Sequence, residues 1–141
     1  MNGASGDIGK GVSAIVIEAG KVLLTWRGEG DARRLTLPGG PARPGESPED
    51  TLARYVREQT GLEVRAATLA GFHFGPESWD AAFNCQLLGG ALSGEAQYLG
   101  VDEALRRRDL GELTRLLLAG HERALEKDEI FDMKNAGSLY L

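Results

Sequence analysis

The chain has 141 residues, close to the ~150-residue prior for one domain, and a chain of this size buries ~68–70% of its extended surface on folding. With 42% hydrophobic and 26% charged residues, it is neither collagenous nor wholly disordered, and it needs no disulfide or structural metal to build a core. A net charge of −5 and a pI of about 5.1 argue against a nucleic-acid partner, because binding to a phosphate backbone usually calls for a basic surplus. Any phosphate chemistry must rely on local cations or a metal. Cys85 is the single cysteine. It excludes an internal disulfide and a multi-cysteine zinc site, and it fits a reducing cytoplasm. No apolar run approaches the ~20 residues of a membrane span. Met1 to Lys10 lack the apolar stretch of a signal peptide, so no membrane partner is expected. The 20 glycines are scattered, which reads as many tight turns.

Residues 1–10 are expected to form a flexible N-terminal segment, 11–127 a single domain and 128–141 a tail. GVSAIVIE at 11–18 and KVLLTWR at 21–27 are apolar runs joined through Ala19-Gly20, the pattern of a β-hairpin. Residues 28–34 are polar and turn-rich, and 35–37 read as a short strand stopped by Pro38-Gly39-Gly40. The stretch from Pro41 to Asp50 carries three prolines and a glycine and is expected to be irregular until a helix begins. Ser47 suits the N-cap, Pro48 the first helical position, and Glu49 and Asp50 complement the helix dipole. The helix is predicted to run to about Thr60 with Gly61 as its C-cap, facing Leu52, Ala53 and Val56 to the core. Strands are predicted at 62–74, 81–92 and 96–99, with a turn at 75–80 and a bulge or bend at Gly89-Gly90. A helical piece at 102–108 precedes a last helix at about 111–127, whose apolar side is marked by Leu113, Leu116, Leu117 and Ala124. Strands with one strong central helix and one C-terminal helix make an α+β domain.

The chemistry concentrates in 38–62, PGGPARPGESPEDTLARYVREQTGL. A strand delivers the chain into a glycine turn, then a proline loop, then a helix. Gly39 and Gly40 allow close backbone approach to a ligand or ion. Arg54 and Glu58 are four apart on the helix and can pair. With Glu46 from the loop they can form one ionic network, which either positions a metal or phosphate or is purely structural.

This segment resembles the Nudix box: glycine, five residues, glutamate, seven residues, then Arg-Glu-apolar-any-Glu-Glu-any-Gly-apolar. Gly40, Glu46, Arg54, Val56, Glu58, Gly61 and Leu62 fall in register. The preceding Leu37-Pro38-Gly39, the hairpin at 11–27 and the segment Tyr98 to Leu105 are similar to the family as well. The resemblance implies a Nudix α/β/α sandwich around a mixed sheet. It also implies ancestry among divalent-metal-dependent hydrolases of nucleoside diphosphates linked to another moiety. Catalysis would then rest on Glu58, Arg54 and Glu46. The ion, Mg²⁺ or Mn²⁺, would be held by Glu58 and the carbonyl of Gly40.

Two departures bear on that activity. Where the family carries glutamates, this chain has Tyr55 and Gln59. These positions are i and i+4, so two carboxylates there would point at one ion. Magnesium prefers hard, anionic oxygen ligands; a phenol of pKa ~10 is neutral at pH 7, and a carboxamide is neutral throughout. Metal binding is therefore expected to be weak and activity weak or lost. The alternative is a catalytically silent nucleotide-binding or protein-interaction module. Tyr55 is expected to pack on the sheet with its hydroxyl satisfied, and Gln59 to fill space. Rescue carboxylates are available at Glu77, Asp80, Glu95, Asp102 and Glu103, each more simply read as a surface charge. Arg27, Arg33 and Arg34 flank the glycine turn and can grip a diphosphate. Trp79 and Phe74 can stack on a nucleobase. Trp26 reads as core, Arg106 to Arg108 as the wet side of a helix, and His73 and His121 show no ligand spacing. Cys85 reads as a small buried residue. A small nucleotide-type ligand is the expected partner. The apolar end Leu139-Tyr140-Leu141 offers a surface for a homodimer.

Overall fold

A computed structural model describes residues 9–121. Its strands are β1 (Gly9–Ile15), β2 (Ile17–Glu18), β3 (Lys21–Arg27), β4 (Arg34–Thr36), β5 (Gly39–Pro41), β6 (Leu62–Phe74), β7 (Ser78–Gly90) and β8 (Gln97–Gly100). The helices are α1 (Pro48–Thr60), α2 (Val101–Arg106) and α3 at 112–121. One sheet has the order β5-β1-β7-β6; the other runs β2-β3-β4, with β8 also paired to β3. Strand β1 lies parallel to β7 and antiparallel to β5. The first sheet is therefore mixed and the second antiparallel, within the expected α+β class.

The first apolar run does not form one hairpin arm. It breaks at Val16, so that β1 joins one sheet while β2 pairs with β3 in the other. Ala19 and Gly20 both take positive φ, 52° and 77°, the geometry a two-residue hairpin turn requires. The split lets one run face two cores. Val12, Ala14, Val16 and Leu23 pack with Leu52 and Val56 of α1. Ile15, Val22, Leu24 and Leu37 pack with Ala104 of α2 and Leu117 and Leu118 of α3. Helices thus cover both faces of the strands.

Helix α1 has the predicted bounds. Ser47 Oγ accepts from the Asp50 amide at 3.1 Å, and Gly61 closes the helix in the left-handed region at φ 80°. Leu52 and Val56 are fully buried and Ala53 partly so. Each full burial contributes about 1.5–3 kcal/mol.

Several expectations need correction. Residues 39–41 are not irregular: they form an edge strand on β1, a place where Pro41 is tolerated because its missing N–H need not enter a ladder. Strand β7 begins at Ser78, leaving 75–77 as the turn, with the Gly75 amide bonded to the Ser78 carbonyl at 2.7 Å. The bulge falls at Leu88, since Glu63 pairs with Gly89 and Val64 with Leu87. On α3, Leu116 is 44% exposed while Thr114, Leu117 and Leu118 are buried and Leu113 is partly buried against the same core. Ala124, the helix beyond 121, the tail 128–141 with Leu139 to Leu141, and the N-terminal residues 1–8 lie outside the described residues. No helix among the described residues is long and apolar enough to cross a membrane.

Candidate functional site

The site forms where β5 and the loop after it meet α1. At its base, Glu46 turns back onto the helix. Its Oε1 accepts from Arg54 Nη2 at 2.8 Å and from Thr51 Oγ1 at 2.7 Å, and its Oε2 accepts from Arg54 Nε at 3.2 Å. These bonds hold the Glu46 carboxyl at about 2, well below the usual carboxylate range, with the Arg54 guanidinium as the main cause and Thr51 second. Arg54 is pushed up in turn by Glu46. Glu58 stands 3.6 Å from Arg54 Nη1 with a side chain 54% exposed. That distance is an ion pair and not a hydrogen bond, and the buried Nη1 has no hydrogen-bond partner among the described residues. The structure thus brings the expected trio together, with Glu46 as the strong partner and Glu58 the loose one.

Above this base sits the glycine turn. A Cβ on Gly40 would lie 2.7–3.0 Å from the Tyr55 ring, so the aromatic ring is laid directly on the Gly40 backbone. The Tyr55 hydroxyl donates to the Pro41 carbonyl at 2.8 Å, and the Arg54 guanidinium lies over the Tyr55 ring, 4.7 Å from its centroid. Gly39 has φ 153°, and a Cβ there would run into the Val12 carbonyl and stand 2.9 Å from Ser13 Cα. Only glycine fits at that strand crossing.

The glycine carbonyl that meets α1 belongs to Gly39, one residue before the Gly40 named from the sequence. Gln59 bonds to both backbone polar groups of Gly39. Its Nε2 donates to the Gly39 carbonyl at 2.8 Å, and its Oε1 accepts from the Gly39 amide at 3.0 Å. Arg27, at the end of β3, reaches the same point. Its Nη2 donates to the Gly39 carbonyl, to Gln59 Oε1 at 3.3 Å and to the Leu37 carbonyl at 3.4 Å. A single cationic nitrogen is therefore ringed by three oxygens. The sequence offers Arg27 as a phosphate ligand near the turn; its contact with Gly39 and Gln59 is encoded by no local spacing.

An open cavity of about 1080 Å³ lies beside the turn. Arg27, Lys10 and Arg43 supply its cations, and Trp79 and Phe72 part of its apolar wall. Phe72 stacks against Phe74 at 5.8 Å and meets Trp79 edge-on at 5.9 Å. Lys10 Nζ stands 6.0 Å from the Trp79 ring. Asp80 faces the cavity next to Gly11, and burial pushes its carboxyl up, against a smaller opposing effect of His73.

Arg27 and Trp79 thus line one cavity. Arg33 and Arg34 do not join them. Arg33 pairs with Glu95 and lies over Trp26 at 4.7 Å, while Arg34 bonds the backbone of Asp31 and Arg33. Trp26 is half-buried between Arg33 and Arg107, the latter tied to Asp109 at 2.8 Å. Asp102 and Glu103 stand in the first turn of α2, where they complement its dipole, and Glu77 is exposed in the β6–β7 turn. Among the described residues no three His, Cys, Asp or Glu side chains converge on a point that could hold a metal ion. Cys85 is half-buried on β7, with its thiol pushed up to about 12 by burial.

Two sheets lie between helices, and a glycine turn leads through a loop glutamate into a helix that carries the paired Arg54, which makes the chain an α/β/α sandwich. The NUDIX domain model matches residues 7–118, and the chain belongs to that family. Solved structures agree in fold. A NUDIX hydrolase from Nitrosomonas europaea matches with a TM-score of 0.72 at 21% identity, over 84% of this chain and 90% of that one. An ADP-ribose pyrophosphatase from Streptococcus suis matches with a TM-score of 0.67 at 20% identity, over 86% and 92%. A UDP-X diphosphatase matches with a TM-score of 0.67 at 21% identity, and the aligned part is 84% of this chain but only 64% of that protein. No curated protein sequence matches.

Proposed function

We propose that this chain keeps the Nudix hydrolase scaffold with a depleted metal site, so that pyrophosphohydrolase activity on nucleoside diphosphates linked to another moiety is weak or lost. The observation that carries this reading is the engaged Gly39 carbonyl. It already accepts from Gln59 Nε2 and Arg27 Nη2. Magnesium asks for several anionic oxygens in near-octahedral array. The oxygens that converge here belong to backbone carbonyls and a carboxamide, and a guanidinium stands among them. A divalent ion ~4 Å from that guanidinium would be repelled by roughly 2–8 kcal/mol, twice the unit-charge values for water and for a near-surface site. Mg²⁺ and Mn²⁺ therefore do not fit these residues, and their affinity is weaker than millimolar. The lone, half-buried Cys85 suits a reducing cytoplasm, where we place the protein.

The test is turnover of ADP-ribose, UDP-glucose and nucleoside triphosphates with Mg²⁺ and with Mn²⁺. The expected rate is at or near the uncatalysed background. Metal-dependent turnover in the ordinary enzyme range of ~1–10³ s⁻¹ would overturn the proposal.

The cavity favours a second role, binding of a nucleotide without chemistry. Its cations and its aromatic wall match the two halves of such a ligand, since phosphate takes bidentate arginine and a base takes a π-face.

A further inference from the structure

A side-chain cation, Arg27, meets the Gly39 carbonyl and Gln59. We propose that the Arg27 guanidinium stands where a divalent ion would be held, and that the cavity captures the diphosphate group of a nucleotide through it without metal. The inference rests on the nucleotide-binding reading above.

Three observations carry it. First, Arg27 is anchored by Nη2 alone, on Leu37, Gly39 and Gln59. Its Nε and Nη1 hydrogens meet no acceptor among the described residues, so single N–H donors on a cationic group remain for an anion. Guanidinium keeps its charge across the whole accessible pH range, and each free N–H can make a charge-assisted bond to a phosphate oxygen. Second, Gln59 supplies the anchor and adds no charge. A carboxylate at 59 would neutralise Arg27; a carboxamide orients it and leaves its charge for a ligand.

Third, the cavity has length and polarity suited to the rest of the molecule. Gly39 pairs with Ser13 of β1, and Trp79 pairs with Lys10 of the same strand. Three strand positions separate the two ends, about 10 Å. Arg27 marks one end; Lys10, Trp79 and Phe72 mark the other. A base stacked on the Trp79 wall can send its phosphates toward Arg27. Asp80 stands at the Gly11 position nearer the aromatic end, where a carboxyl disfavours phosphate and leaves the Arg27 end as the place for it.

Calorimetric titration of the full chain with ADP, ADP-ribose and inorganic pyrophosphate, in EDTA and in millimolar Mg²⁺, tests this. Binding of ADP and ADP-ribose in EDTA is expected, with no tightening by Mg²⁺. Arg27→Gln should weaken it about tenfold or more, as loss of charged hydrogen bonds does, and Arg27→Lys should keep part of the affinity. Trp79→Ala should weaken ADP but not pyrophosphate. Circular dichroism and urea unfolding check that each variant folds. If Arg27→Gln does not fold, Gln59→Glu serves instead: it places a carboxylate against Arg27 and should weaken binding similarly. Binding that requires Mg²⁺, or that survives Arg27→Gln or its substitute unchanged, overturns the inference and leaves the nucleotide reading standing. No binding of ADP or ADP-ribose under either condition overturns both.

Discussion

At the residue scale, Glu46 is the group whose ionisation the fold depends on most visibly. Its carboxyl is held at about 2 in the folded chain against an ordinary 4.5. In the unfolded chain it takes up its proton at the higher value. Between the two the unfolded state binds more protons, so stability rises with pH there. The Glu46 contribution is complete above the ordinary value and declines as pH falls toward about 2. Urea midpoints measured from pH 5 down to 2 should fall less steeply in Glu46→Gln than in the parent, and Arg54→Ala should lower the midpoint at pH 7. Parallel acid limbs for Glu46→Gln and parent would show that the pair does not couple folding to protons.

Two tyrosines on the same apolar cluster make a contrasting pair. The Tyr55 hydroxyl donates to Pro41 at 2.8 Å, whereas the buried Tyr98 hydroxyl finds no hydrogen-bond partner among the described residues. Removing a satisfied hydroxyl should cost about 0.5–1.5 kcal/mol, and removing an unsatisfied one should be neutral or stabilising. Urea unfolding of Tyr55→Phe and Tyr98→Phe should therefore move in different directions. Equal destabilisation of both would contradict this assignment.

At the scale of elements, α1 is the piece on which the site is built, and its ends are its weak points. Ser47 satisfies the Asp50 amide, and Gly61 takes φ 80° with no room for a Cβ beside the Ala91 carbonyl and Ser93. Ser47→Ala should cost about 1 kcal/mol, as loss of an N-cap does. Gly61→Ala should cost more than a simple propensity change, because it adds positive-φ strain to a clash with backbone. Thermal melts of the two variants give the order directly; a larger loss in Ser47→Ala would reverse it. The edge strand β5 matters in a different way. Three residues of pairing with β1 bring the Gly39 carbonyl to the point where Arg27 and Gln59 meet it.

At the scale of the whole molecule, the metal question becomes one of three elements and not two residues. Tyr55→Glu with Gln59→Glu places carboxylates one helical turn apart, but Arg27 from β3 remains beside them and supplies the neutralising charge. Mg²⁺ should then raise the melting temperature little. Adding Arg27→Gln removes that charge, leaves the carboxylates repelling one another, and should make the apo protein less stable than the parent. In that triple variant millimolar Mg²⁺ should raise the melting temperature by mass action on the folded state. A double variant already stabilised strongly by Mg²⁺ would show that Arg27 does not compete for the position.

Much of the architecture is written locally. The capping signals around Ser47 and Gly61 and the 3.6-residue period of Leu52 and Val56 place α1 to the residue, because each depends on neighbours within one or two turns. The fixed spacing from Gly40 to Leu62 identifies the family for the same reason, and the i, i+4 relation of Arg54 and Glu58 foretells their contact. Tertiary structure alone decided what lies far apart along the chain. Arg27 and Gln59 are 32 positions apart, and they meet because β3 and α1 reach the glycine turn from different sides. The break at Val16, which sends one apolar run into two sheets, is equally invisible locally: both halves read as strand, and only their partners differ. Which carbonyl faces the helix depends on strand register, and a shift of one residue reverses the face. The spacing singles out Gly40, whereas Gln59 and Arg27 bond to Gly39.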